Sequence, residues 1–163
     1  LIFDLRSNGG GFLNEAENIA SQFIPKDEVI TTLNNKFNKQ KLSLSKGGIA
    51  EDIPVVLLVN SNTASASEVV TGALRDYNIA TIVGTNTYGK GVAQSTFKIK
   101  STEGALKVTI DSFYTPNGDN INKVGIKPDY EVELTEEDVK GGYTKEKDPQ
   151  YQKAIEIINE KLK

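Results

Sequence analysis

The run Pro54-Val55-Val56-Leu57-Leu58-Val59 constrains this chain more than any other stretch. It carries no polar residue at alternate positions, so as a strand it needs cover on both faces. Such strands belong to sheets lying between helices. The residues that follow agree. Asn60–Ala64 turns the chain, and a helix is predicted from about Ala66 to Tyr77, with Val69, Val70, Ala73, Leu74 and Tyr77 on one stripe. Ile79–Val83 is predicted as the next strand. Strand, helix and strand in that order imply an α/β fold with largely parallel, buried strands.

Leu1–Leu5 reads as a further core strand that runs into a glycine-rich loop, Ser7-Asn8-Gly9-Gly10-Gly11. A helix is predicted from about Asn14, with Asn14 and Glu17 as its cap and Pro25 as its stop. Residues 26–52 are the least patterned. Val29–Leu33 could form a short strand, and the polar remainder is expected to be a surface loop, with a mobile flap as the alternative. Ala93–Ile99 and Leu106–Ile110 alternate as strands, and Tyr114-Thr115-Pro116-Asn117-Gly118 is a turn. Asp148-Pro149 caps and starts an amphipathic helix marked by Tyr151, Ala154, Ile155, Ile158 and Leu162. A length of 163 residues suits one domain. Residues 1–140 are expected to form the core and 141–163 a C-terminal helical tail. The chain opens inside an apolar strand, which suggests that it is truncated at its N-terminus.

Histidine and cysteine are both absent. Ser-His-Asp catalysis, thiolate nucleophiles, disulfides and His or Cys metal sites are therefore excluded within this chain. The net charge of −3 offers no general basic field to nucleic acid. No apolar run approaches the length of a membrane span. A hydrolase built on these residues needs a base other than histidine.

Ser65 is predicted between a buried strand and a helix start, where free N–H groups favour an oxyanion. The N–H of Ala66 is a natural oxyanion donor, and the glycine loop, Gly10 above all, could supply a second. The plainer reading is a capping box, with Ser65 as cap and Glu68 reaching back. Lys90 sits between Gly89 and Gly91, which suits close backbone packing around its side chain. A lysine serves as a base only as the free amine. A free lysine has a pKa of about 10.4, so roughly 1 in 2,500 is neutral at pH 7. Desolvation worth about 3 kcal/mol raises the neutral fraction to roughly a tenth. A phosphate-loop role is disfavoured, since no Ser or Thr follows Lys90.

Four motifs in order resemble the carboxyl-terminal processing proteases, also called tail-specific proteases. They are Asp4-Leu5-Arg6-Ser7-Asn8-Gly9-Gly10-Gly11, Thr63-Ala64-Ser65-Ala66-Ser67-Glu68, Tyr88-Gly89-Lys90-Gly91 with Gln94, and Tyr114-Thr115-Pro116-Asn117-Gly118 followed by Gly125-Ile126-Lys127-Pro128-Asp129. Ser7 and Gly9 depart from the family pattern, which often has Asn and Pro there. The resemblance implies a ββα-type core and a serine endopeptidase with a Ser-Lys dyad. Ser65 would be the nucleophile, Lys90 its base and Gln94 the residue that holds the lysine, with Gly10 and Ala66 as oxyanion donors. It implies no metal or organic cofactor, protein or peptide substrates cut near their C-terminal ends, an upstream PDZ domain, and an extracytoplasmic bacterial setting. A non-catalytic peptide-binding relative, or an esterase or amidase using the same pair, are the alternatives.

Overall fold

The computed structural model describes residues 1–140 and 142–163. Among these residues eight strands and four helices follow one another as β1 Ile2–Asp4, α1 Leu13–Ala20, β2 Val29–Asn35, β3 Gln40–Leu44, β4 Val55–Val59, α2 Ala66–Asp76, β5 Ala80–Gly84, β6 Val92–Lys98, β7 Ala105–Tyr114, β8 Tyr130–Glu131, α3 Glu136–Val139 and α4 Pro149–Lys161. They build two four-stranded sheets. One is parallel, in the order β1-β4-β5-β8, and the other antiparallel, in the order β3-β2-β7-β6.

Strand β4 occupies the position its sequence demands. All five of its residues are fully buried. Val55, Leu57 and Val59 pack with α1 and α2, in a core that includes Ala16, Val69, Ala73 and Leu74. Val56 and Leu58 face the other way and meet Ala154 and Ile157 of α4. The alternation of a strand sends successive side chains to opposite faces, so a wholly apolar strand needs both layers. Helix α4 supplies the second layer. Asp148 caps it by accepting from Gln150 N at 2.9 Å and Tyr151 N at 3.1 Å, with Pro149 in the first turn. The boundary expected at 140/141 falls on Gly141, which lies outside the described residues.

Two local expectations fail. Helix α1 begins at Leu13, its N-cap is Phe12, and Asn14 instead donates to the side chain of Glu15. The glycine loop runs extended through Phe12, where φ is −75° and ψ 132°, and this leaves Asn14 inside the first turn. The polar stretch after Leu33, expected as a loop, is largely a hairpin of β2 and β3. Asn35 Oδ1 closes its turn by accepting from Phe37 N and Lys39 N, and Asn38 takes the left-handed φ of 57°. β3 lies at the sheet edge and is mostly exposed, so its polar side chains remain solvated while its backbone pairs.

Candidate active site

Ser65 stands at the junction of β4 and α2, where φ is 59° and ψ −120°. A serine rarely adopts a positive φ; it costs about 1–3 kcal/mol and persists only where the surroundings impose it. An ordinary N-cap has extended backbone angles. The capping box expected of Ser65 and Glu68 is present: Glu68 Oε2 accepts from Ser65 N at 2.8 Å, and the Ser65 side chain faces the Glu68 N–H, although Ser65 Oγ makes no close cap bond. The hydroxyl is thus left available for other chemistry.

The surroundings that hold this turn are specific. Thr63, fully buried, donates from Oγ1 to Leu5 O at 2.8 Å and accepts from Asn60 N at 3.0 Å. Ala64 N donates to Asn8 O, and Ser67 Oγ donates to Asn8 Oδ1 at 3.0 Å. The glycine loop is therefore stitched to the Ser65 turn through Asn8. Gly10 has φ of 85°, and a Cβ built there would lie 2.6 Å from Ala64 O and 2.7 Å from Ala66 N. Only glycine fits so close to that turn. The N–H of Gly10 donates to Asn8 Oδ1 at 3.0 Å, so it reaches an oxyanion only by giving up that bond. Ala66 N has no hydrogen-bond partner among the described residues.

Glu68 organises the other half of the site. It is fully buried, and four donors converge on its carboxylate. Oε1 accepts from Thr87 Oγ1 at 2.6 Å and Gly89 N at 2.7 Å, and Oε2 from Lys90 N at 2.9 Å as well as from Ser65 N. One carboxylate thus holds the backbone of Ser65 and the backbone of Lys90 together. The Lys90 segment is also braced from behind. Thr87 Oγ1 accepts from Ile126 N, and Lys123 N donates to Gly89 O. A Cβ on Gly89, at φ 83°, would lie 2.8 Å from Gly125 N, and one on Gly91 2.6 Å from Asn122 N. The glycines beside Lys90 accordingly serve close packing against residues 121–125, which lead into Gly125-Ile126-Lys127-Pro128-Asp129.

Ser65, Ala66, Lys90 and Gln94 line one cavity of about 270 Å³ beside α2 and the β6–β7 hairpin. Gly10 lines a neighbouring cavity of about 260 Å³, on the other side of Gly11 and Phe12. Gln94 follows a bulge in β6, is exposed, and sends Nε2 toward Thr109 Oγ1 at 3.5 Å. Among the described residues no hydrogen bond joins it to Lys90.

The first three motifs each contribute residues to this cavity, and the fourth braces the Lys90 segment; all four fall within the part of the chain that a known family matches: peptidase family S41, over residues 1–132. The chain belongs to peptidase family S41. It is 39% identical over 133 residues to a carboxy-terminal-processing protease of Bartonella bacilliformis, covering 81% of this chain and 30% of that protein. It is 38% identical over 160 residues to a carboxyl-terminal-processing protease of Synechocystis sp., covering 96% and 36%. Among solved structures, the photosystem II D1 C-terminal processing protease superposes with a TM-score of 0.76 at 34% identity, covering 82% of this chain and 34% of that one. The chain thus spans about a third of the length of these relatives.

Within this S41 chain, sequence reasoning missed the wider role of Glu68 and the parts of Thr63 and Thr87. The capping-box pattern accounts for Glu68 locally and hides its partners at positions 87, 89 and 90. Arg6, in the first motif, was likewise only a motif letter. Its guanidinium donates to Asp148 Oδ2 at 2.6 Å, Gln150 Oε1 at 2.9 Å and both oxygens of Asp4, tying the glycine loop to the start of α4. Burial opposes that charge, but hydrogen bonds with Asp4, Asp148 and Tyr143 outweigh it and hold the pKa above its ordinary value. No helix among the described residues is long and apolar enough to cross a membrane.

Proposed function

We propose that this S41 domain hydrolyses peptide bonds with Ser65 as nucleophile and Lys90 as general base. The observation that carries this reading is the strained Ser65 turn sharing one cavity with Lys90, both backbones being held by Glu68. Ser65 Oγ attacks the scissile carbonyl and its proton passes to Lys90. The carbon–nitrogen bond breaks, Lys90 returns the proton to the leaving amine, and an acyl-enzyme remains. Water then attacks the ester, again through Lys90, and frees the acid and Ser65. The unpartnered Ala66 N–H, at the start of α2, faces the developing oxyanion, together with an N–H of the glycine loop. Gln94 lies on the cavity wall beside the lysine, where it can orient the amine.

The names of the relatives and the four motifs support a substrate class of proteins or peptides cut near their C-terminal ends. The resemblance of the motifs to the carboxyl-terminal processing proteases is the ground for an upstream PDZ domain as the delivering partner and for a setting outside the bacterial cytoplasm. The test is Ser65→Ala in the intact protein, against a peptide panel. Hydrolysis falls to background while the circular dichroism spectrum is unchanged. Undiminished cleavage by that variant refutes the assignment.

A further inference from the structure

The cavity beside Ser65 has a second charged residue that the chemistry above does not use. Lys107 of β7 lines it, and it has no ion-pair partner among the described residues. The charged residues of this lining are Lys90 and Lys107, with no carboxylate, in a chain whose net charge is −3. The register explains how Lys107 comes to be there. Gln94 pairs with Thr109 and Thr96 with Lys107, so Gln94, Thr96, Lys107 and Thr109 share one face of the hairpin. Lys107 lies one pair beyond Gln94, about 7 Å along the strands, farther from the base.

We infer that Lys107 is a specificity residue, whose ammonium binds a carboxylate on the leaving segment of the substrate. The inference rests on the Ser65–Lys90 reading. A base that takes the serine proton must hand it to the leaving amine, so that amine lies next to Lys90. Chain continuing beyond the amine then runs over the wall formed by Gln94 and Lys107. The neighbouring cavity is built differently. Leu5, Phe12, Ala16, Ile19 and Val70 line it, and its one charged residue is the acid Glu15. It therefore suits an apolar side chain on the acyl side and repels a carboxylate. The carboxylate on the leaving segment has two sources, the free C-terminus of a short tail or an acidic side chain within it.

The experiment separates them with two matched peptide pairs. One pair differs at the last residue, free acid against amide. The other differs inside the leaving segment, Glu against Gln. Values of kcat/KM are compared for the intact enzyme and its Lys107→Gln and Lys107→Glu variants. Affinities of the four leaving-segment peptides are measured in parallel on Ser65→Ala, with and without Lys107→Gln. An exposed ammonium predicts that the preference for the charged member of one pair shrinks about three- to tenfold in Lys107→Gln. It further predicts that Lys107→Glu favours a peptide bearing Lys at that position. The pair that responds names the source. Any other carboxylate-binding site contributes equally to both proteins and cancels in the ratio. Preference ratios unchanged by Lys107→Gln in both pairs overturn the inference. Hydrolysis that survives Ser65→Ala overturns the nucleophile reading instead, while the peptide affinities still decide Lys107.

Discussion

Replacing Glu68 by Gln is a sharp perturbation, because the side chain keeps its shape and loses one acceptor oxygen. Oε2 receives two backbone N–H groups, from Ser65 and Lys90, so an NH2 there meets two donors. The less costly rotamer puts the NH2 at the Oε1 position. There Thr87 Oγ1 can turn to accept, as it already accepts from Ile126 N. The N–H of Gly89 is then orphaned in a buried site, at a cost of about 1–3 kcal/mol. The remaining three bonds change from charge-assisted to neutral, losing about 1 kcal/mol each. The sum is roughly 4–6 kcal/mol, a large share of a stability of about 5–15 kcal/mol. Urea unfolding followed by circular dichroism reads this as a lower midpoint at unchanged slope. Because the common anchor of Ser65 and Lys90 is weakened to a neutral amide oxygen and Gly89, next to Lys90, loses its bond, kcat is expected to fall about tenfold in the molecules that remain folded. A stability loss below about 1 kcal/mol, with turnover within twofold of the parent, would refute the argument that one carboxylate holds both segments.

Two other perturbations test separate parts of the account. Lys90→Arg keeps the positive charge but cannot release its proton, so its turnover should match that of Lys90→Ala; near-normal turnover would make Lys90 a fixed charge rather than a base. Asp148→Ala removes the cap of α4 and the fully buried partner of Arg6, which still keeps Asp4 and Gln150. A loss of about 3–4 kcal/mol is expected, lowering Tm by roughly 10 °C, and a drop below about 1 kcal/mol would show that α4 is held by its apolar face alone.

The parallel layer was legible because its signals are local. Val55–Val59 announces burial on both faces by composition, and Asp148-Pro149 announces a helix start by spacing alone. Ser65 and Lys90 were legible as candidates from their places beside a helix start and between two glycines, and the family motifs joined them. The rest depended on partners distant in sequence. Glu68 looks complete as the far end of a capping box, yet its other donors lie 19, 21 and 22 residues away. Gln94 has the expected spacing from Lys90, but a bulge at Ala93 and Gln94 sets its direction, and no local pattern marks that bulge. The β2–β3 hairpin was hidden because a solvated edge strand has the composition of a loop.

The central claim is that Ser65 becomes covalently acylated and that Lys90 makes this possible. Intact-mass spectrometry of the protein quenched during turnover of an activated peptide ester tests it directly. The account predicts one added acyl group, mapped to the segment containing Ser65, that is absent in Ser65→Ala and strongly reduced in Lys90→Arg. An acyl group carried on another residue, or one that persists in Ser65→Ala, would contradict it.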